Sequence, residues 1–198
     1  MVKSGYATDG RTAGRRAMTL GLTLFFYWLS LAWVRLVRLD ASIKVNVATL
    51  FIISPFVVYP FVYSPVWWLR GLTGDLSLTT TVLLVAAVYV KLFDKKLIAT
   101  KERKLMLWSV VGFGVVFYPL ALGVGQLDPY VWGYANVYML GMVLGLSLLL
   151  FLRQYYVFAT TLLLAVLAWN VGLLQSVNLW DYLLDPFIFF YALLRLLR

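Results

Sequence analysis

The sequence predicts an all-α protein, a polytopic transmembrane helical bundle of six or seven crossings with a proline-broken or re-entrant segment at about 45–69. Three observations carry this expectation. Hydrophobic residues make up 63% of the 198 residues and charged residues only 13%, against about half and about one quarter in a soluble domain. A single soluble core of this size could not hide so much apolar surface, so the excess must face lipid or other subunits. The apolar residues fall in stretches near twenty residues long, and at about 1.5 Å per helical residue such stretches cross a hydrocarbon core of about 30 Å. The cations gather between those stretches, where they orient the chain and meet anionic headgroups.

Residues 1–16 form a polar, basic tail carrying Lys3, Arg11, Arg15 and Arg16, and 17–198 form one transmembrane domain. The first apolar run is too long for the core of a signal peptide and is followed by Arg35 and Arg38 rather than by small residues, so an uncleaved helix over about 17–36 is expected. The next stretch, 45–68, contains Pro55, Pro60 and Pro65. Each proline removes a backbone donor and pushes the residue before it towards an extended shape. Broken backbone survives at membrane depth only where protein or water satisfies it. A kinked helix buried among neighbours or a re-entrant hairpin is therefore expected.

Helices follow over 76–93, 105–123, 129–152, 157–174 and 179–198. Two short segments resemble each other: Leu127-Asp128-Pro129-Tyr130 and Leu184-Asp185-Pro186-Phe187. Aspartate caps free amides and proline at the first helical position loses nothing, so each pair reads as a helix start. For the last helix a second reading competes. Asn178 begins it, Asp181 completes a capping pattern, and Pro186 kinks it. Length favours this second reading, because a helix from Pro186 alone is too short to span.

Six cations lie in 91–104, namely Lys91, Lys95, Lys96, Lys101, Arg103 and Lys104, whereas 125–133 holds none. The first loop is expected on the cytoplasmic side and the second outside, with Arg153 and Arg195 back inside. The two crossing numbers put the N-terminus on opposite sides, and both leave a similar excess of cations inside. The re-entrant arrangement is preferred because it gives the three prolines a structural reason. Trp108, Trp132, Trp169 and Trp180 fall near predicted helix ends, as an interfacial belt requires.

Composition narrows the chemistry. Cysteine and histidine are both absent, which excludes disulfides, thiolate metal sites and serine–histidine or cysteine–histidine catalysis. No cofactor is expected. The net charge of +9 would suggest nucleic acid in a soluble protein, but the placement of the cations argues for lipid and against nucleic acid. No phosphate-binding loop, dinucleotide fingerprint or hydrolase motif occurs.

Three groups of residues remain as candidates. Arg35, Arg38, Lys44 and Arg70 bracket the proline-rich segment, and arginine forks suit a lipid phosphate; snorkelling at helix ends is the ordinary explanation. Asp181 and Asp185 lie one helical turn apart and could bind a cation or relay a proton; helix capping is the ordinary explanation. Gly141 and Gly145 form a small-xxx-small pair that permits close helix packing. Asn170, Gln126 and the run Thr79, Thr80 and Thr81 supply polar groups that commonly bridge helices.

The sequence therefore points first to a non-catalytic integral membrane subunit or assembly partner of a larger membrane complex. Its partners would be membrane lipids, including anionic headgroups, and other membrane protein subunits. The alternatives are a transporter or flippase for a phosphate-bearing lipid, and a membrane enzyme acting on lipid through Asp75, Asp128, Asp181 and Asp185. A bacterial or organellar inner membrane is the expected location.

Overall fold

The structure, a computed structural model, describes residues 22–32, 42–58, 68–69, 71, 74–134 and 137–197. The described residues are helical or in turns, with no strand among them. We number the helices α1 (Leu22–Ala32), α2 (Ile43–Val58), α3 (Leu78–Phe93), α4 (Thr100–Ala121), α5 (Val137–Leu152), α6 (Tyr156–Asn170), α7 (Trp180–Leu183) and α8 (Pro186–Leu196); a 3-10 turn, Pro129–Gly133, precedes α5. Among the described residues α4 alone is long and apolar enough to cross a membrane, while α1, α3, α5, α6 and α8 are apolar but shorter. The tail at 1–16 lies outside the described residues.

The chain divides into two compact units. One takes its residues from 1–76 and 81–97; the other comprises Ser77–Thr80 and Ile98–Arg198. In the first, Leu22 and Leu76 are buried with Phe26, Tyr27, Ile53, Leu69 and Leu84 packed against them. Polar groups cross this core: the hydroxyls of Tyr27 and Ser54 share a hydrogen bond of 2.7 Å, and Asn46 Nδ2 donates to the carbonyl of Lys91 at 3.1 Å. Lys91 Nζ sits 5.6 Å from the Trp28 ring, so its charge rests on an aromatic face.

The proline-rich segment departs from the expected break at its first proline. α2 runs unbroken through Pro55. Thr49 Oγ1 donates to the carbonyl of Val45 and Ser54 Oγ to that of Leu50. Hydroxyls that bond back along a helix bend it. Pro60 and Pro65 lie outside the described residues.

In the second unit α5 and α6 form a tight hairpin. Met139, Val143, Ser147 and Leu150 recur every three or four residues and make the buried stripe of α5. They face Phe158, Ala159, Leu162, Ala165 and Ala168 of α6. Ala159 and Ala165 are completely buried, and their small side chains bring the backbones close enough for Ser147 Oγ to donate to the Ala159 carbonyl at 2.9 Å. The turn between them closes in a Schellman pattern, with Tyr155 N–H bonding the Leu150 carbonyl and Gln154 N–H that of Phe151; Gln154 takes the left-handed conformation such a cap needs.

α4 packs against α8. Gly114 makes this possible, because a Cβ there would fall on the Phe189 ring. Two expected helices are interrupted. The stretch at 129–152 divides into the 3-10 turn and α5, and the stretch at 179–198 divides at Leu184, whose backbone is extended, into α7 and α8.

Candidate functional site

The polar side chains of the second unit converge where the turn at 128–134 meets the segment at 174–186. Asp128 starts the first of these. Its Oδ1 accepts from the Tyr130 amide at 2.9 Å, and Pro129 follows at the first helical position. Asp185 starts α8 in the same way, accepting from the Ile188 amide at 2.9 Å with Pro186 next in the chain. The matched Leu-Asp-Pro segments are thus two copies of one capping device. The reading in which the last helix begins at Asn178 is corrected: the chain is extended at Leu184 and Asp185, and Asp181 caps nothing there.

Between these caps the two segments are sewn together. Asn178, fully buried, donates through Nδ2 to the Tyr130 carbonyl at 2.9 Å and accepts the Trp180 amide on Oδ1 at 2.9 Å. The Leu179 amide donates to the Gly133 carbonyl at 2.9 Å. Trp180 Nε1 donates to the Pro129 carbonyl at 2.9 Å. The Tyr130 hydroxyl donates to Asp181 Oδ2 at 2.9 Å. Tyr182, also fully buried, binds its own segment, donating towards the carbonyls of Leu174 and Ser176 and accepting the Leu174 amide at 3.0 Å. Each residue from Asn178 to Tyr182 therefore has a structural task. Burial first, and then the bond to Asp181, hold the Tyr130 phenol above its ordinary pKa. It stays a neutral donor.

Trp180 belongs to this clamp. It is buried, with its ring 4.9 Å from Phe113 and 5.0 Å from Phe117. Trp108 and Trp132 are exposed, and Trp169 donates through Nε1 to the Val177 carbonyl.

Asp185 is the deepest carboxylate of the cluster, and two helix starts meet on it. Its Oδ2 accepts from the Ser77 amide at 2.8 Å and from the Thr80 hydroxyl, while Oδ1 serves Ile188. Ser77 in turn accepts the Thr80 amide on its hydroxyl, as an N-terminal cap does. The carboxylate therefore lies at the positive ends of α3 and α8 together, with three neutral donors around it. Thr79 adds a bond of 2.6 Å to the Leu183 carbonyl. Thr79 and Thr80 bridge segments as expected of them; Thr81 is buried, and Gln126 and Asn170 are exposed.

The remaining candidates separate. Asp181 and Asp185 bond different partners, Tyr130 on the one and Ser77, Thr80 and Ile188 on the other. No group of three or more metal-binding side chains gathers among the described residues. Gly141 and Gly145 are exposed, and a Cβ at either would meet nothing. The close helix contact is made instead by Ser147, Ala159 and Ala165. Arg35, Arg38 and Arg70 lie outside the described residues, as does the side chain of Lys44. One buried carboxylate escaped the sequence reading: Glu102, in the basic run, accepts the Phe158 amide at 2.9 Å and ties α4 to the first turn of α6. No known protein family, curated protein or solved structure matches the chain.

Proposed function

We propose that the chain is a multi-pass integral membrane subunit that serves as an assembly partner in a larger membrane complex and carries no reaction of its own. The observation that supports this most is how the second unit spends its acidic groups. Asp181, Asp185 and Glu102 each accept from an amide or hydroxyl that holds one segment to another, and Asp128 caps the turn that follows it. Around these fastened polar groups the outer faces are greasy. Val116, Leu148, Leu152, Leu167 and Leu194 are each at least 60% exposed, an arrangement suited to lipid or to another subunit and costly in water.

The short helices fit this reading with modest accommodation. α3 and α5, at 16 residues each, are about 24 Å long. That falls a few ångströms short of a hydrocarbon core of about 27–30 Å, a mismatch met by local thinning or by flanking apolar residues. α8, with 11 residues, is about half a crossing and would end within the bilayer or against a partner.

Extraction in a mild detergent followed by native mass spectrometry tests the proposal. The expected species is heavier than the 22.6 kDa protomer and contains a second, stoichiometric polypeptide. A lone protomer that retains its fold contradicts it.

A further inference from the structure

Where α4 begins and the α5–α6 turn ends, the chain leaves a half-open recess of about 200 Å³, lined by Ala99, Lys101, Glu102, Arg153, Gln154 and Tyr155. Lys101 and Arg153 supply two exposed cations. The single carboxylate in the wall, Glu102, is buried and committed to the Phe158 amide. The Tyr155 ring lies 5.9 Å beneath Lys101 Nζ and holds that charge at the recess. α4 also starts here, after Ala99, whose side chain offers the first turn no acceptor, whereas the start of α6 is already served by Glu102. Two cations on one recess select an anion, and forked or rotating donors suit phosphate. Next to the recess Phe151, Leu152 and Tyr156 are half or more exposed, an apolar surface that a free anion would not use.

We propose that this recess binds the phosphate group of an anionic glycerophospholipid, with the acyl chains lying against Phe151, Leu152 and Tyr156. The proposal rests on the membrane reading above and adds a ligand site distinct from the clamp. Lys101 and Arg153 engage the phosphate oxygens, Gln154 supplies an amide donor, and the bilayer supplies the ligand.

The test uses the full chain in phosphatidylcholine nanodiscs doped with phosphatidylglycerol, with the phospholipid retained after detergent exchange counted by mass spectrometry. The unaltered chain is expected to retain phosphatidylglycerol preferentially. A basic residue near the membrane surface is worth about fivefold in affinity for an anionic lipid, so K101Q/R153Q should lose about thirtyfold. K101R/R153K should keep most of the preference, which separates charge from folding. Undiminished preference in K101Q/R153Q overturns the site. Displacement of the lipid by inorganic phosphate at matched concentration overturns the lipid as source. A chain that enters the bilayer without preferring phosphatidylglycerol overturns the site alone, whereas one that fails to enter overturns the membrane reading with it.

Discussion

A methyl group added at Gly133 would land on Asn178 Oδ1 and lie 2.8 Å from Trp180 Cδ1. The glycine is buried, and its carbonyl also receives the Leu179 amide, so the backbone has nowhere to retreat without releasing a bond. Gly133→Ala should therefore lower stability by about 3 kcal/mol, the upper end for overpacking, read as a fall in thermal midpoint in detergent; an unchanged midpoint would mean the two segments are not in contact. Tyr130 gives a second residue-scale prediction. Its phenol is raised above the ordinary value of 10.0 by burial and by Asp181. Below that pH both folded and unfolded chains keep the proton and the bond contributes fully. Above it the unfolded tyrosine ionises first, so stability falls as pH rises. Tyr130→Phe should lose stability at neutral pH yet decline less steeply above about pH 10. Parallel curves for the two proteins would remove Tyr130 from the clamp. None of these contacts was legible in the sequence, because Tyr130 and Asn178 are 48 positions apart and share no periodicity.

At the scale of elements the sequence was most informative where chemistry is local. Aspartate followed by proline fixed the starts of the 3-10 turn and of α8, because capping depends on a few neighbouring residues alone. It was least informative where a partner decides. At 179–198 the Asp185–Pro186 pair marked a helix start, but nothing local shows that Asp185 reaches Ser77. The preference for a helix from Asn178 rested on bilayer length, and the hydrogen bonds available to Asp185 outweighed it. The glycine pair on α5 lies on an exposed face of this chain. Small residues mark a close contact only on the face that has a neighbour, and that face carries Ser147 and meets Ala159. Asp185 joins the starts of α3 and α8, so its replacement should be felt by both. In Asp185→Asn one oxygen becomes an amide group set against a backbone N–H. We expect a loss of about 2 kcal/mol, the cost of a buried donor left without an acceptor, measured by thermal unfolding in detergent. Full stability in this variant would show that the carboxylate is not the joint between the two helix starts.

For the whole molecule, composition established the helical class and the burden of apolar surface, since both follow from sums over the chain. The number of crossings did not follow, because it depends on where helices stop. Among the described residues α4 alone has the length of a span, and the other apolar helices need lipid to complete the account. The absence of cysteine makes this directly measurable, because a single introduced cysteine is the only thiol to react. The decisive experiment places cysteine in turn at Leu148, Leu164, Lys96 and Gln126 and exposes intact membranes to a membrane-impermeant maleimide. Leu148→Cys and Leu164→Cys, on the exposed faces of the hairpin, should stay unlabelled until detergent is added, while Lys96→Cys and Gln126→Cys should react from opposite sides. Rapid labelling of Leu148→Cys and Leu164→Cys in intact membranes would contradict the account, because those faces would then lie in water.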